Sequence, residues 1–188
     1  MKKNFVLAAV FTLLAMAFTV SAQKTADFSG KWTLDVAKSK LGDRNTIESQ
    51  TLSVTQTDKD IKIETATKRT APPAGGGGGA GGGGGRGMGG GGMGGGGDMA
   101  VTYTLDGKET KIERQGPQGA IPVMMKGKFD GGKLHLSQSS TFAGPNGDIT
   151  TTTKETWELG ADGKSMTVTT ERTTMRGTDS TTRVFSKG

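Results

Sequence analysis

Along most of this chain, apolar residues return at every second position. In the stretch Phe28-Ser29-Gly30-Lys31-Trp32-Thr33-Leu34, Phe28, Trp32 and Leu34 share one parity with Gly30, while Ser29, Lys31 and Thr33 take the other. Successive side chains of a strand point to opposite faces, so the stretch predicts a half-buried β-strand with Trp32 in the core. A Gly between two aromatics in such a strand marks a bend or a close backbone approach. The alternation recurs in Leu52/Val54, Ile61/Ile63/Thr65, Met99/Val101/Tyr103/Leu105, Thr110/Ile112/Arg114 and Val123/Met125/Gly127/Phe129. It continues in Leu134/Leu136/Gln138, in the Thr-rich run Ile149 to Leu159 around Trp157, in Met166/Val168/Thr170/Arg172 and in Arg183/Phe185. Turn chemistry separates the runs: Asp58-Lys59-Asp60, Asp106-Gly107-Lys108, Gly116-Pro117, Asp130-Gly131-Gly132, Gly144-Pro145-Asn146-Gly147 and Ala161-Asp162-Gly163.

One stretch breaks the pattern. Val36, Ala37, Lys40 and Leu41 have helical spacing, Asp35 is placed to cap them and Gly42 to stop them. One or two turns of helix are predicted there, covering one end of the sheet.

The pattern thus predicts an all-β fold: about ten antiparallel strands in an up-and-down meander, one short N-terminal helix, and a long Gly-rich loop. Closing such a meander into a barrel removes its two edges. Ten strands enclose more space than their side chains fill, so an internal cavity is expected, although a collapsed sandwich meets the same pattern.

Two segments stand outside the alternation. Met1 to Ala22 opens with Lys2 and Lys3, continues apolar from Phe5 to Val20, and ends in the small residues Ser21 and Ala22. This is the pattern of a secretory signal peptide, cleaved before Gln23. Its apolar run, about 16 residues, falls short of the ~20 that a membrane-spanning helix needs, so no stable membrane insertion is expected after cleavage. The barrel domain is assigned to residues 23–188, and the protein to the periplasm or the extracellular space. Within the domain, residues 71–98 hold little but Gly, with Met88, Met93 and Arg86 among the few exceptions. No side chain there supplies a core, and a disordered spacer loop is expected.

Composition narrows the chemistry. The chain has no Cys, one His, one Tyr and two Trp, with a formal net charge of +6. Disulfides and thiolate catalysis are excluded. The charges are scattered singly, without the basic stripe and stacking aromatics of a nucleic-acid reader, so no nucleic-acid partner is expected. Met88, Met93 and Met99 have no His or Cys beside them, so no metal is expected. His135 opposes Leu134 and Leu136 in parity and should face outward; no Ser–His pair, paired carboxylates or phosphate loop stands out. Neither an enzyme nor a cofactor is expected.

Phe28-Ser29-Gly30-Lys31-Trp32 resembles the F-x-G-x-W opening of intracellular fatty-acid-binding proteins and the G-x-W of lipocalins, both members of the calycin group. Phe129-Asp130-Gly131-Gly132-Lys133-Leu134 resembles the L-D-G-G-x-L hairpin of the former. Ser180-Thr181-Thr182-Arg183-Val184-Phe185-Ser186-Lys187 is similar to their S-T-R-x-Y-x-K ending. The ordered set spans the domain and, together with the signal-peptide pattern, implies an exported lipocalin-like barrel, monomeric, that binds or carries a small hydrophobic molecule, in character like a fatty acid. The alternative is a ligand-free structural or interaction module that displays the Gly-rich loop, which the crowding of Thr on the later strands favours.

In the family, an Arg and a Tyr two residues apart on the last strand hold the ligand carboxylate. Arg183 matches the Arg, and Phe185 stands where the Tyr would be. A second family Arg aligns best with Lys154, whose parity points it outward. The resemblance leaves two roles open for Arg183. It could close the barrel base with Phe28, Gly30 and Trp32 by stacking over the indole, or it could take an anionic head group. The missing hydroxyl at Phe185 speaks for the first. Tyr103, Arg114 and Arg172 share faces with apolar residues and complete the set of candidate ligand contacts.

Overall fold

The computed structural model describes residues 25–42, 45–70, 99–116, 119–144 and 147–188. The expected signal peptide and the Gly-rich loop lie outside these residues. Ten strands follow one another: β1 (Gly30–Lys40), β2 (Ile47–Gln56), β3 (Asp60–Arg69), β4 (Met99–Thr104), β5 (Thr110–Gly116), β6 (Gly119–Asp130), β7 (Lys133–Gly144), β8 (Gly147–Leu159), β9 (Ser165–Thr174) and β10 (Gly177–Lys187).

All ten belong to one antiparallel sheet in the order β4-β3-β2-β1-β10-β9-β8-β7-β6-β5. Sequence neighbours pair throughout, and the two ends of the domain meet where β1 pairs with β10. The sheet curls into a nearly closed up-and-down barrel. Its one seam lies where β4 and β5 do not pair, and there β4 leans on β6. The Gly107 amide donates to the Gly127 carbonyl at 3.0 Å, and Asp106 bridges Lys128. A Cβ on Gly127 would stand 2.7 Å from the Thr104 carbonyl oxygen, so only Gly lets the two strands touch.

The alternation read from the sequence is the alternation of inside and outside. Trp32, Leu34, Leu52, Val54, Ile61, Ile63, Tyr103, Val123, Met125, Leu134, Leu136, Trp157, Met166, Val168 and Phe185 are buried, with Phe28 ahead of β1. The Gly131-Gly132 turn between β6 and β7 has φ of 57° and 81°, the left-handed pair that a two-residue hairpin requires.

The predicted helix does not form, and the described residues contain no helix. Asp35 to Lys40 continue β1 instead. Asp35 pairs with Val184 and Lys40 with Thr182, so a bulge absorbs the surplus residues between them. Asp35 does cap, as its position suggested: its Oδ1 accepts from the Lys38 amide at 3.2 Å. What it caps is the bulge. The Ser39 hydroxyl donates to the Asp35 carbonyl at 2.6 Å and accepts from the Val184 amide at 2.9 Å, which ties the bulge to β10. Few residues were available for a helix, and isolated short helices are not stable in water, so strand pairing with β10 wins.

Candidate functional site

One end of the barrel is solid. Phe28 stacks on Phe129 with centroids 6.2 Å apart and meets the edge of Trp157 at 5.8 Å. The Trp32 indole N–H donates to the Phe28 carbonyl at 2.8 Å, so the first aromatic of the opening motif satisfies the second. The cation over the Trp32 ring is Lys187, with Nζ 5.1 Å from the centroid. The base-closing role expected of Arg183 therefore belongs to Lys187. Register explains it: Trp32 pairs with Lys187, while Arg183 lies beyond the Asp35–Val184 pair. Gly30 makes room for this lid, since a Cβ there would stand 2.8 Å from the Lys187 Cε.

Away from the base the interior changes character. Reading across the register, the inner row that starts at Gly127 and Leu136 continues into Glu155, Thr170 and Thr181. The row that starts at Met125 continues through Gln138 into Thr153 and Arg172. Each row is apolar or neutral on β6 and β7 and turns polar on β8 to β10. One wall of the barrel thus carries Thr153, Glu155, Thr170, Arg172 and Arg183 together.

These groups carry buried polar atoms that are incompletely satisfied. Glu155 is 4% exposed; its Oε2 accepts from the Trp157 indole N–H at 2.9 Å, and its Oε1 has no partner. The Thr153 and Thr170 hydroxyls and the Nε of Arg172 and Arg183 are also buried without a hydrogen bond. Thr170, the register partner of Glu155, lies near enough to steady its carboxyl but forms no bond of good geometry. On β2, Gln50 is buried too; its Nε2 donates to the Thr67 hydroxyl at 3.0 Å and its Oε1 is left over.

The electrostatics tie opposite walls together. Burial holds the Glu155 carboxyl above its ordinary range, while the Trp157 N–H, the Arg183 charge and Thr170 pull it down. Burial weakens the Arg183 guanidinium, Glu155 supports it, and Arg69 on β3 opposes it. Burial pushes the Tyr103 hydroxyl up, Glu155 pushes it further, and Arg114 works against both. A line of neighbouring ionisable groups therefore crosses the interior from Arg114 on β5 through Tyr103 on β4 and Glu155 on β8 to Arg183 on β10. Glu155 is the buried acid on an inner face that also carries Arg114, Arg172 and Arg183.

Of the residues singled out from the sequence, Arg183, Arg172, Arg114 and Tyr103 share this interior. Phe185 lies in the packed core, paired with Leu34 and Met166, on the apolar side of Arg183. Lys154 is exposed on the outer face, as its parity indicated. His135 is half-buried on the outer face, with Nδ1 3.3 Å from the Thr156 hydroxyl. Among the described residues, no three His, Asp or Glu side chains gather as a metal site. Sequence reasoning missed Glu155, Thr153, Gln138 and Gln50. The signal for Glu155 was present, because the parity that places Lys154 outside and Trp157 inside also places Glu155 inside.

No protein-family model matches the chain, and no curated protein sequence does. Among solved structures, the chain is similar to zebrafish ileal bile acid-binding protein in complex with cholic acid. The TM-score is 0.47 and the identity 15%, over 86% of this chain and 98% of that one.

Proposed function

We propose that this barrel binds a small amphipathic molecule in its interior, with an acidic head against the β8–β10 wall at Arg172 and Arg183. One observation carries the reading: buried polar atoms, both donors and acceptors, are left without a partner on that wall. Each such atom costs about 1–3 kcal/mol when buried unmet, so a wall made only for packing would not collect them. A bound head group meets them, and its apolar part lies along the neutral β6 and β7 side, where Val123, Met125 and Leu136 face inward. Lys187 closes the base, which frees Arg183 for this use.

The role is binding or carriage rather than catalysis, in a monomer. Export is part of the same reading and is supported by the pattern of Met1 to Ala22.

The test compares ligands and a variant. Native mass spectrometry of freshly purified protein should show a co-purified molecule of lipid-like mass, or uptake of added dodecanoate. Arg183→Gln should weaken dodecanoate by about 1.5–3 kcal/mol, the scale of a hydrogen bond to a charged group, and leave dodecanol almost unchanged. Saturable binding of neither molecule would rule the reading out.

A further inference from the structure

The head-group site contains a feature that a simple fatty acid does not use. Arg172 and Arg183 offer buried donors, but on the same wall Glu155 presents an acceptor, Oε1, that nothing in the protein meets. A plain carboxylate satisfies a guanidinium but leaves Oε1 unmet, and against the ionised form of Glu155 it also adds repulsion. A ligand that suits the wall needs an anion for an arginine and a second group for Glu155 a few bonds away, because the Glu155–Thr170 row lies between the row of Arg172 and the row of Arg183.

We propose, resting on the binding role above, that Glu155 is a specificity-determining residue and that the ligand class is hydroxylated amphipathic acids. The carboxylate meets Arg183, one inner row from Glu155, and a nearby hydroxyl meets Glu155 Oε1.

A hydroxyl fits better than an ammonium. Burial favours the neutral form of Glu155 and the Arg183 charge favours the ionised form. A hydroxyl both donates and accepts, so it pairs with either form, whereas an ammonium only donates and serves the ionised form alone. The Thr153 and Thr170 hydroxyls flank the same point with unpartnered oxygens and can complete the pairing of that group. A site built to hydrogen-bond a substrate hydroxyl discriminates strongly against the analogue that lacks it, because its own buried polar groups are then left unpaired.

The experiment titrates the purified protein at pH 7 with two probes, dodecanoate and 3-hydroxydodecanoate, by displacement of a bound fluorescent anilinonaphthalene sulfonate. The wild type should bind the hydroxy acid at least about tenfold more tightly, which is the scale of a hydrogen bond to a charged partner. In Glu155→Ala that preference should shrink, because the hydroxy acid loses the oxygen that its hydroxyl meets; in Glu155→Gln, whose amide oxygen still accepts, it should shrink less. Thermal melts establish that each variant is folded, and the wild-type preference stands as a test without either variant. Equal wild-type affinity for the two acids overturns the assignment of Glu155 while leaving the binding role intact. Saturable binding of neither acid overturns both. A preference unchanged in a folded Glu155→Ala protein also overturns the assignment, since the hydroxyl is then read elsewhere.

Discussion

Trp32 shows how a few atoms close the base of this barrel. Its ring is fully buried, its N–H is satisfied by the Phe28 carbonyl, and the Lys187 ammonium lies over its face. Replacing Trp32 by Ala removes a large buried side chain that its neighbours cannot collapse to fill. We expect Trp32→Ala to lose about 3–5 kcal/mol, read as a lower denaturant midpoint with an unchanged slope. A near-neutral midpoint would mean the base is held without the indole. Lys187→Met keeps the stem that covers Gly30 and removes only the cation–π contact. At this solvent-exposed residue the contact is worth about 0.5–1 kcal/mol, so the smaller loss distinguishes the lid from the plug.

At the scale of elements, the bulge in β1 shows local preference yielding to strand pairing. The spacing of Val36, Ala37, Lys40 and Leu41 favours a helical turn, and Asp35 adopts the hydrogen bond of a cap. β10 nonetheless offers a long row of backbone groups, and unmet backbone polar groups are costly. The bulge reconciles the two, with Ser39 as its clasp. Ser39→Ala should therefore destabilise by about 1–2 kcal/mol through the loss of two side-chain hydrogen bonds. It should also speed amide exchange at Val184, and protection there equal to that of the wild type would show that the clasp is dispensable. β4 and β6 make the opposite case. They meet by a close approach at Gly127 rather than by a ladder, and this leaves the barrel its single unpaired seam.

The molecule as a whole is asymmetric: aromatic and solid at the base, polar along one inner wall above it. That asymmetry gives its stability a distinctive pH dependence. The Glu155 carboxyl is held above its ordinary value of 4.5 in the folded state, facing Arg183 on β10 and Tyr103 on β4. The folded protein then binds more protons than the unfolded chain, so this group's contribution is fully present below the unfolded value. It is lost as pH rises through the raised folded one. Asp35 and Asp162 are lowered by hydrogen bonds from Lys38 and Lys164 and act in the opposite sense at acid pH, so the difference between two proteins is the informative quantity. Subtracting the profile of Glu155→Gln from that of the wild type should leave a stability difference that falls from about pH 4.5 upward and then levels off. A flat difference would place Glu155 in a solvated setting.

Much of this was legible along the chain, and the reason is geometric. A strand repeats every two residues, so burying one face writes itself into the sequence, and the order of the ten strands follows from short turns between consecutive runs. The placement of Arg183, Arg172, Arg114 and Tyr103 on inner faces came from the same parity. Parity says which face a residue takes but not its neighbours on the adjoining strand, which register sets. Register puts Lys187 rather than Arg183 over Trp32, and it sets Thr153 opposite Arg172 and Glu155 opposite Thr170. The β1 bulge was hidden for a related reason. It depends on how many residues β10 offers opposite Asp35 to Lys40, a count that exists only once strands from the two ends of the domain have paired.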